Sequence, residues 1–181
     1  MRAFIAIPCP GELKAEMEEA QKKIKGFGDL KNVAPDNIHL TLRFLGEIDV
    51  EQVEGIIRAL EGIKKEGGFE VCIKGVGAFP GPGSARVLWA GVEKGDKELQ
   101  ELHESVGCAL LPFGFAREDG FSSHYTLARV KHLRDRDGLR KVLDEYKEKT
   151  FGCFQADRFC LMKSELRRTG PVYCVIKEFR L

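Results

Sequence analysis

The sequence of 181 residues lacks any apolar run of the roughly 18 residues that a membrane-spanning helix needs. Its start, Met1 to Pro8, also lacks the length and the cleavage pattern of a signal peptide. Neither sign of charge is in large excess, because the sequence has 29 lysine and arginine residues and 28 aspartate and glutamate residues. This balance excludes proteins that bind nucleic acid through overall positive charge. We therefore expect a cytoplasmic protein with no membrane contact, and any polyanion must meet a local basic patch.

Cys-x-x-Cys pairs are also absent, although the sequence has six cysteines. This absence argues against a zinc ribbon or a thioredoxin-like redox centre. Free cysteine is among the most buried residue types, so we expect reduced, buried side chains. A bridge between Cys153 and Cys160 is the alternative, because two asparagines and four glutamines beside abundant lysine and glutamate suggest a hot environment.

Hydrophobic periodicity predicts four helices separated by strands. With 43% hydrophobic residues, a chain of this length can form one core without metal or disulfides. The first helix should run from about Gly11 to Phe27, and the second should begin after Asp49, with Gln52 completing a capping box. The predicted strands are Arg2 to Pro8, Ile38 to Leu45, Phe69 to Phe79, Arg86 to Val92, Ser123 to Val130, Phe154 to Lys163 and Val172 to Phe179.

Two halves of the sequence repeat the same plan. The tetrapeptide His39 to Leu42 has its counterpart 85 residues later, in His124 to Leu127. Arg2 has its counterpart in Arg86, 84 residues later. A constant offset of this kind indicates an internal duplication. We predict a single domain, residues 1–181, whose pseudo-symmetric lobes comprise about 1–80 and 84–181.

The repeated motif is His-x-Thr-Leu, in a sequence with only four histidines and four threonines. On a regular strand alternate side chains share a face, so His39, Thr41 and Arg43 should face one way. The opposite, core-facing set should be Ile38, Leu40, Leu42 and Phe44. His124 and Thr126 repeat the arrangement in the second half.

Two histidines on either side of a phosphodiester can hydrolyse it without a metal ion. The neutral imidazole takes a proton from the attacking group, while the protonated one gives a proton to the leaving oxygen. Hydroxyl and guanidinium groups would stabilise the charge on the nonbridging oxygens. The alternative is that His39 and His124 are partly buried structural histidines and that the threonines are ordinary strand residues.

The motifs His39 to Glu47 and His124 to Arg129 resemble the paired motifs of the two-histidine (2H) phosphoesterase superfamily. The closer similarity is to its RNA 2',3'-cyclic phosphodiesterase branch, also called 2'-5' RNA ligase. Phe79-Pro80, Arg86 to Val92, and the segment from Ser164 to Tyr173 resemble the same branch. The similarity spans essentially the whole chain.

The resemblance implies a two-lobed α+β fold, with antiparallel-rich sheets lining a central cleft and helices outside. It implies hydrolysis of an RNA-terminal 2',3'-cyclic phosphate to a 2'-phosphate, with 2'-5' ligation in the reverse sense in some members. It also implies that no metal or other cofactor is needed. Its partners would be RNA ends or cyclic-phosphate nucleotides, and we expect a monomer.

Carried over to this sequence, the family roles make His39 the proton donor and His124 the proton acceptor. Thr41 and Thr126 would bind the phosphate. Arg43 and Arg129 are further candidate ligands, but Arg129 lies at odd spacing from its histidine, so it needs a bulge or the end of the strand to face the same way. Relatives also commonly have proline where this sequence has Ser123.

Two other functions are consistent with the same residues. One is a module that binds RNA ends without useful turnover, and the other is the same chemistry on a small cyclic nucleotide. Positive charge is concentrated in residues 122–181, which hold 14 lysine and arginine residues against 8 acidic ones. This segment could provide an RNA track or a salt-bridged surface. The candidate track residues are Arg129, Lys131, Arg134, Arg136, Arg140, Arg158, Lys163, Arg167 and Arg168.

Overall fold

A computed structural model describes residues 1–63, 67–168 and 170–181. Its α-helices are Gly11–Ile24 (α1), Val50–Glu61 (α2), Asp96–Leu110 (α3) and Arg136–Glu145 (α4). Its strands are Arg2–Pro8 (β1), Gly28–Asn32 (β2), His39–Glu47 (β3), Phe69–Phe79 (β4), Val87–Lys94 (β5), His124–Leu133 (β6), Thr150–Ala156 (β7), Arg158–Arg167 (β8) and Gly170–Arg180 (β9). Within these described ranges, no helix is both long and apolar enough to cross a bilayer.

The helices follow the local signals of the sequence. The first predicted helix is α1 followed by a single 3-10 turn, Lys25–Phe27. The predicted capping box at the start of α2 is confirmed, since the backbone N–H of Asp49 donates to Gln52 Oε1 over 3.1 Å. At the start of α4, the carboxylate of Asp135 accepts from the backbone N–H of Gly138. These caps satisfy amide groups that the first helical turn leaves unpaired.

The strands form one antiparallel sheet, with β7-β4-β5-β6-β3-β1-β8-β9 as the order and β2 paired to β6. The predicted α+β class with antiparallel sheet is thereby confirmed. Only Asp157 separates β7 from β8, although these strands lie near opposite ends of the order. The sheet must therefore curl until its ends approach each other. The predicted strand Phe154 to Lys163 is two strands, because the chain changes partners at this residue.

The two lobes exchange strands across the predicted boundary at residues 80–84. Strand β4 precedes that boundary, yet it pairs with β5 and β7. Strands β8 and β9 come from the end of the chain, and β8 pairs with β1. Each half of the sheet thus contains strands from both halves of the sequence, and β3 and β6 meet in the middle.

The structure corrects the expectation that the cysteines are all reduced and buried. Cys72 of β4 lies directly opposite Cys153 of β7, and the two form a disulfide. The alternative bridge from Cys153 to Cys160 does not form, because Cys160 lies on β8 opposite Ala6 of β1. Cys160 and Cys9 are free and buried, whereas Cys108 and Cys174 are free and exposed.

One hydrophobic core joins the helices to the sheet. It contains the apolar stripe of α1, the alternate residues Leu40 and Leu42 of β3, and Tyr125 and Leu127 of β6. The side chains between them on β3 and β6 are consequently on the opposite face of the sheet. That face carries the histidines of both repeated motifs.

Candidate active site

The two central strands bring the repeated motifs together. Leu40 of β3 pairs with Tyr125 of β6 in antiparallel register. Their neighbours in that register are His39 opposite Thr126, and Thr41 opposite His124. Diagonal neighbours in such a pair lie about 7–8 Å apart, which leaves room for a phosphate between the imidazoles. The antiparallel pairing of β3 with β6 therefore places both motifs on one face of the sheet.

A cavity of about 730 Å³ lies over this face. All six of the predicted site residues border it: His39, Thr41, Arg43, His124, Thr126 and Arg129. Its other side chains of interest are Lys31, Phe44, Phe79, Glu118, Phe121 and Tyr173. The sequence thus identified the polar centre of the cavity but not most of its walls.

Both imidazoles are held in the same way. His39 Nδ1 lies 2.6 Å from the carbonyl oxygen of Asn37, and His124 Nδ1 lies 2.8 Å from that of Ser122. A carbonyl only accepts hydrogen bonds, so in each ring Nδ1 carries the hydrogen. The neutral form of each ring therefore has an unprotonated Nε2, which is the atom able to exchange protons with a ligand.

Aromatic side chains fix the planes of these rings. The ring of His39 lies 4.8 Å from that of Phe4 and 5.2 Å, edge to face, from that of Tyr173. The ring of His124 lies 5.1 Å, again edge to face, from that of Phe79. The hydrogen bond at Nδ1 and the ring contact together leave each imidazole little freedom to rotate.

Burial lowers the pKa of both histidines, because desolvation disfavours the imidazolium form. The hydrogen bond to a backbone carbonyl opposes this effect in each case. The positive charge of Arg129 lowers the pKa of both rings further, and His124 also acts on His39. The two imidazoles and this guanidinium thus share one electrostatic environment.

A bulge in β6 explains how Arg129 comes to border the cavity. The register with β5 shifts between Leu88 and Trp89, so Leu127 has no partner of its own. The extra residue reverses the alternation that follows it, which turns Arg129 to the face of His124. The odd spacing between His124 and Arg129 in the sequence is therefore compatible with a place for Arg129 at the cavity.

The equivalent bulge in β3 has the opposite consequence for Arg43. The register with β1 shifts so that Leu42 is the extra residue. Arg43 is only 4% exposed, and its Nη2 donates to the carbonyl oxygen of Ala116 while Nη1 lies 3.3 Å from the carboxylate of Glu118. The expectation that Arg43 shares the face of His39 is wrong, because the bulge directs its guanidinium to residues 114–122, which we call the wall loop.

The wall loop, residues 114–122, leads directly into His124. Besides Arg43, His103 of α3 holds this loop, since its ring stacks on Phe121 with 4.3 Å between centroids. Ser123 stands at the position where the family resemblance implies proline, and its hydroxyl donates to the carboxylate of Asp96 at the start of α3. This tether restrains the entrance to β6 by a side-chain contact instead of a fixed backbone angle.

Phe44 borders the cavity, although regular strand alternation predicts that it faces the core. The bulge at Leu42 reverses its direction, and Phe44 is 60% exposed at the cavity wall. Lys31, opposite Arg129 in the β2–β6 pair, was also missed. No local pattern indicates either position, because each depends on how neighbouring strands pair.

Potential metal ligands lie elsewhere in the described chain. Glu70, Cys72 and Cys153 form the group of three in which ligand atoms are close together. Both sulfurs belong to the disulfide, so they are not available as thiolates. None of these residues borders the cavity.

The residues of the candidate RNA track have different surroundings in the structure. Arg158 pairs with Asp157 and Glu178, whereas Lys163 and Arg167 both pair with Glu165. These three cations belong to a salt-bridged surface. Arg129, by contrast, borders the cavity itself.

Comparisons with known proteins show which family the chain resembles. The family model described as "LigT like Phosphoesterase" matches residues 7–89 and, again, residues 91–173, which confirms the duplication. The RNA 2',3'-cyclic phosphodiesterase of Archaeoglobus fulgidus is 35% identical over 179 residues, covering 99% of both chains. The crystal structure of TT0787 from Thermus thermophilus has a TM-score of 0.83 and 31% identity, covering 100% of this chain and 98% of its own.

A third relative contains a nucleotide. The structure of Escherichia coli LigT complexed with NADP+ has a TM-score of 0.74 and 25% identity, covering 99% of this chain and 97% of its own.

Proposed function

Because the chain belongs to the LigT-like phosphoesterase family, we propose that it opens RNA-terminal 2',3'-cyclic phosphates to 2'-phosphates, with His39 and His124 as its proton donor and acceptor. Relatives that match over their full length are named RNA 2',3'-cyclic phosphodiesterases, and we assign the same activity to this chain. The observation that carries the proposal is the matched orientation of two imidazoles, each with Nδ1 bound to a carbonyl, over one cavity.

In the proposed step, water attacks the phosphorus atom and gives its proton to Nε2 of neutral His124. The bond between phosphorus and the 3'-oxygen breaks, and protonated His39 gives its Nε2 proton to that oxygen. The products are a 2'-phosphate and a free 3'-hydroxyl. The histidines end with exchanged protonation states, which proton exchange with water restores. With an RNA 5'-hydroxyl in place of water, the same step forms a 2'-5' bond.

The remaining polar groups of the cavity would stabilise charge on the phosphate. The hydroxyls of Thr41 and Thr126 can donate to nonbridging oxygens, and the guanidinium of Arg129 can neutralise the charge that develops there. Arg43 is assigned a positioning role, because its guanidinium already binds the wall loop. The complex of E. coli LigT with NADP+ supports a nucleotide as the kind of ligand that this chain binds.

Product analysis tests the proposed reaction. We expect an oligonucleotide ending in a 2',3'-cyclic phosphate to yield a 2'-phosphate, at the same rate with and without EDTA, because protons and fixed charges carry the chemistry. Phosphatase treatment and chromatography against synthetic standards would identify the product. A 3'-phosphate product, or loss of activity in EDTA restored by a divalent ion, would contradict the proposal.

The same assay separates the alternative functions. A module that only binds RNA ends would show no product even with enzyme in excess over substrate. An enzyme for small cyclic nucleotides would process a nucleoside 2',3'-cyclic phosphate with a higher kcat/KM than the oligonucleotide. We expect turnover and a preference for the oligonucleotide.

The pH dependence of kcat/KM should be bell-shaped, with its maximum below pH 6.5. The active pair holds one proton, and burial lowers the pKa of both imidazoles below their ordinary value of 6.5. Acid therefore removes the neutral base, whereas alkali removes the protonated acid, and the two apparent pKa values belong to the pair. The limbs of the kcat profile should lie at higher pH, because bound phosphate favours imidazolium. A profile with a single limb would contradict the shared proton.

A further inference from the structure

Two buried polar side chains hold the bulges of the central strands. Gln21 of α1 is buried, and its Nε2 donates to the carbonyl oxygens of Leu127 and Val33, each over 2.8 Å. His103 of α3 is also buried, and its Nδ1 donates to the carbonyl oxygen of Leu42 over 2.8 Å. Leu127 and Leu42 are the extra residues of the two bulges. Each bulge therefore has a side-chain donor at its carbonyl group.

The two contacts cross between the halves of the sequence. Helix α3 begins at Asp96, 85 residues after α1 begins at Gly11, so these helices are equivalent elements of the duplication. The helix of the first half holds the bulge of β6, whereas the helix of the second half holds the bulge of β3. Two different side chains thus form the same kind of contact, which indicates that the bulge carbonyl needs a donor.

Packing does not explain a glutamine in this part of α1. The other buried residues of the helix are Leu13, Met17, Ala20 and Ile24. Burial of an amide costs free energy unless the amide is hydrogen-bonded, and an apolar side chain would avoid that cost. Gln21 bonds two carbonyls on neighbouring strand segments, and the backbone N–H of Val33 donates to the same Leu127 oxygen. The side chain therefore ties the bulged residue to the segment that follows β2.

The place of Arg129 depends on the bulge, because Arg129 lies two residues after Leu127. In a regular strand these two side chains would share a face, and Leu127 is in the core. The bulge instead turns the guanidinium to the cavity. A contact that keeps Leu127 in the bulge therefore also keeps the positive charge of Arg129 beside the histidine pair.

We propose that Gln21 is a positioning residue for Arg129: by holding the Leu127 carbonyl in the bulged register, it directs the guanidinium to the reacting phosphate. The inference rests on the proposed function, since it takes the ligand of Arg129 to be that phosphate. Gln21 does not border the cavity, so its effect is transmitted by the backbone of β6.

Gln21→Met tests the inference, because methionine is similar in length and suits an apolar core but cannot donate to the carbonyls. We expect kcat/KM for the cyclic-phosphate oligonucleotide to fall by about 10- to 100-fold, the size of effect that a small displacement at a reaction centre has. Arg129→Ala should lower it by about 10²- to 10³-fold. Adding Gln21→Met to Arg129→Ala should change kcat/KM by no more than about twofold, because the positioned group is already gone.

NMR titration of the free protein gives a readout that does not depend on activity. Burial lowers the pKa of His39 and His124, and the charge of Arg129 lowers it further. Gln21→Met and Arg129→Ala should therefore both raise the pKa of the two rings. The variants retain the other charged or titratable side chains that border the cavity, which are Lys31, Arg43, Glu118 and Tyr173. Gln21→Leu is a second apolar replacement for the same measurements should the methionine variant not fold.

Met17→Ala is the control, since it removes another buried side chain from the same helix, one turn before Gln21. We expect it to lower Tm without raising the pKa of either histidine. An equal rise of the pKa in Met17→Ala would assign Gln21 a merely structural role and overturn the inference. Losses that multiply when Gln21→Met and Arg129→Ala are combined would overturn it as well. Failure of the proposed function has a different signature, because the unmodified protein would then not hydrolyse the oligonucleotide, whereas the titration would still show the effect of Gln21.

Discussion

Alanine in place of His39 or His124 is expected to lower turnover of a cyclic-phosphate oligonucleotide by about 10²- to 10⁴-fold, the range typical of general acid–base groups. The loss follows from the proposed mechanism, in which one imidazole must accept a proton while the other donates one. The turnover of the double variant should be little lower than that of either single variant, because the reaction needs both imidazoles and losing one already disables the pair.

Single-turnover rates at saturating enzyme would measure these losses without interference from product release. His132→Ala provides the matched control, since this histidine is exposed, lies near the far end of β6 and does not border the cavity that His39 and His124 line. Each catalytic variant should retain the Tm of the unmodified protein to within a few degrees. Losses that multiply in the double variant would show that the histidines act independently, and would contradict the shared pair.

Removal of the disulfide is expected to lower the free energy of unfolding by about 2–5 kcal/mol, the usual cost for a native bridge. Cys72 and Cys153 are separated by 81 residues, so the bond closes a long loop and restricts the unfolded chain strongly. Cys153→Ser and treatment with a reductant should lower Tm to a similar extent. Activity at room temperature should persist, because neither cysteine borders the cavity.

Thiol titration of the denatured protein provides a direct check of the bond. We expect four of the six cysteines to react before reduction and all six afterwards. Cys108→Ser is the control, because it removes an exposed free thiol and should leave both Tm and its response to reductant unchanged. Six reactive thiols without reductant would contradict the prediction.

Several features of the protein follow from its sequence alone. Helix α2 and its cap depend on contacts within one or two turns, so local patterns suffice to predict them. The duplication is visible because His39 and His124 recur with the same neighbours. Strand periodicity also places Thr41 and Thr126 beside their histidines, since no bulge interrupts these two steps.

Tertiary structure alone decides the side chains around that centre. A bulge is a mismatch in the pairing of two strands, so the sequence of one strand alone does not reveal it. The burial of Arg43 and the exposure of Phe44 could therefore not be predicted from the alternation of residues along β3. The pairing of β4 with β7, which come from different halves of the sequence, also selects Cys72 as the partner of Cys153. Local chemistry therefore determined which groups could react, whereas long-range strand pairing determined which groups surround them.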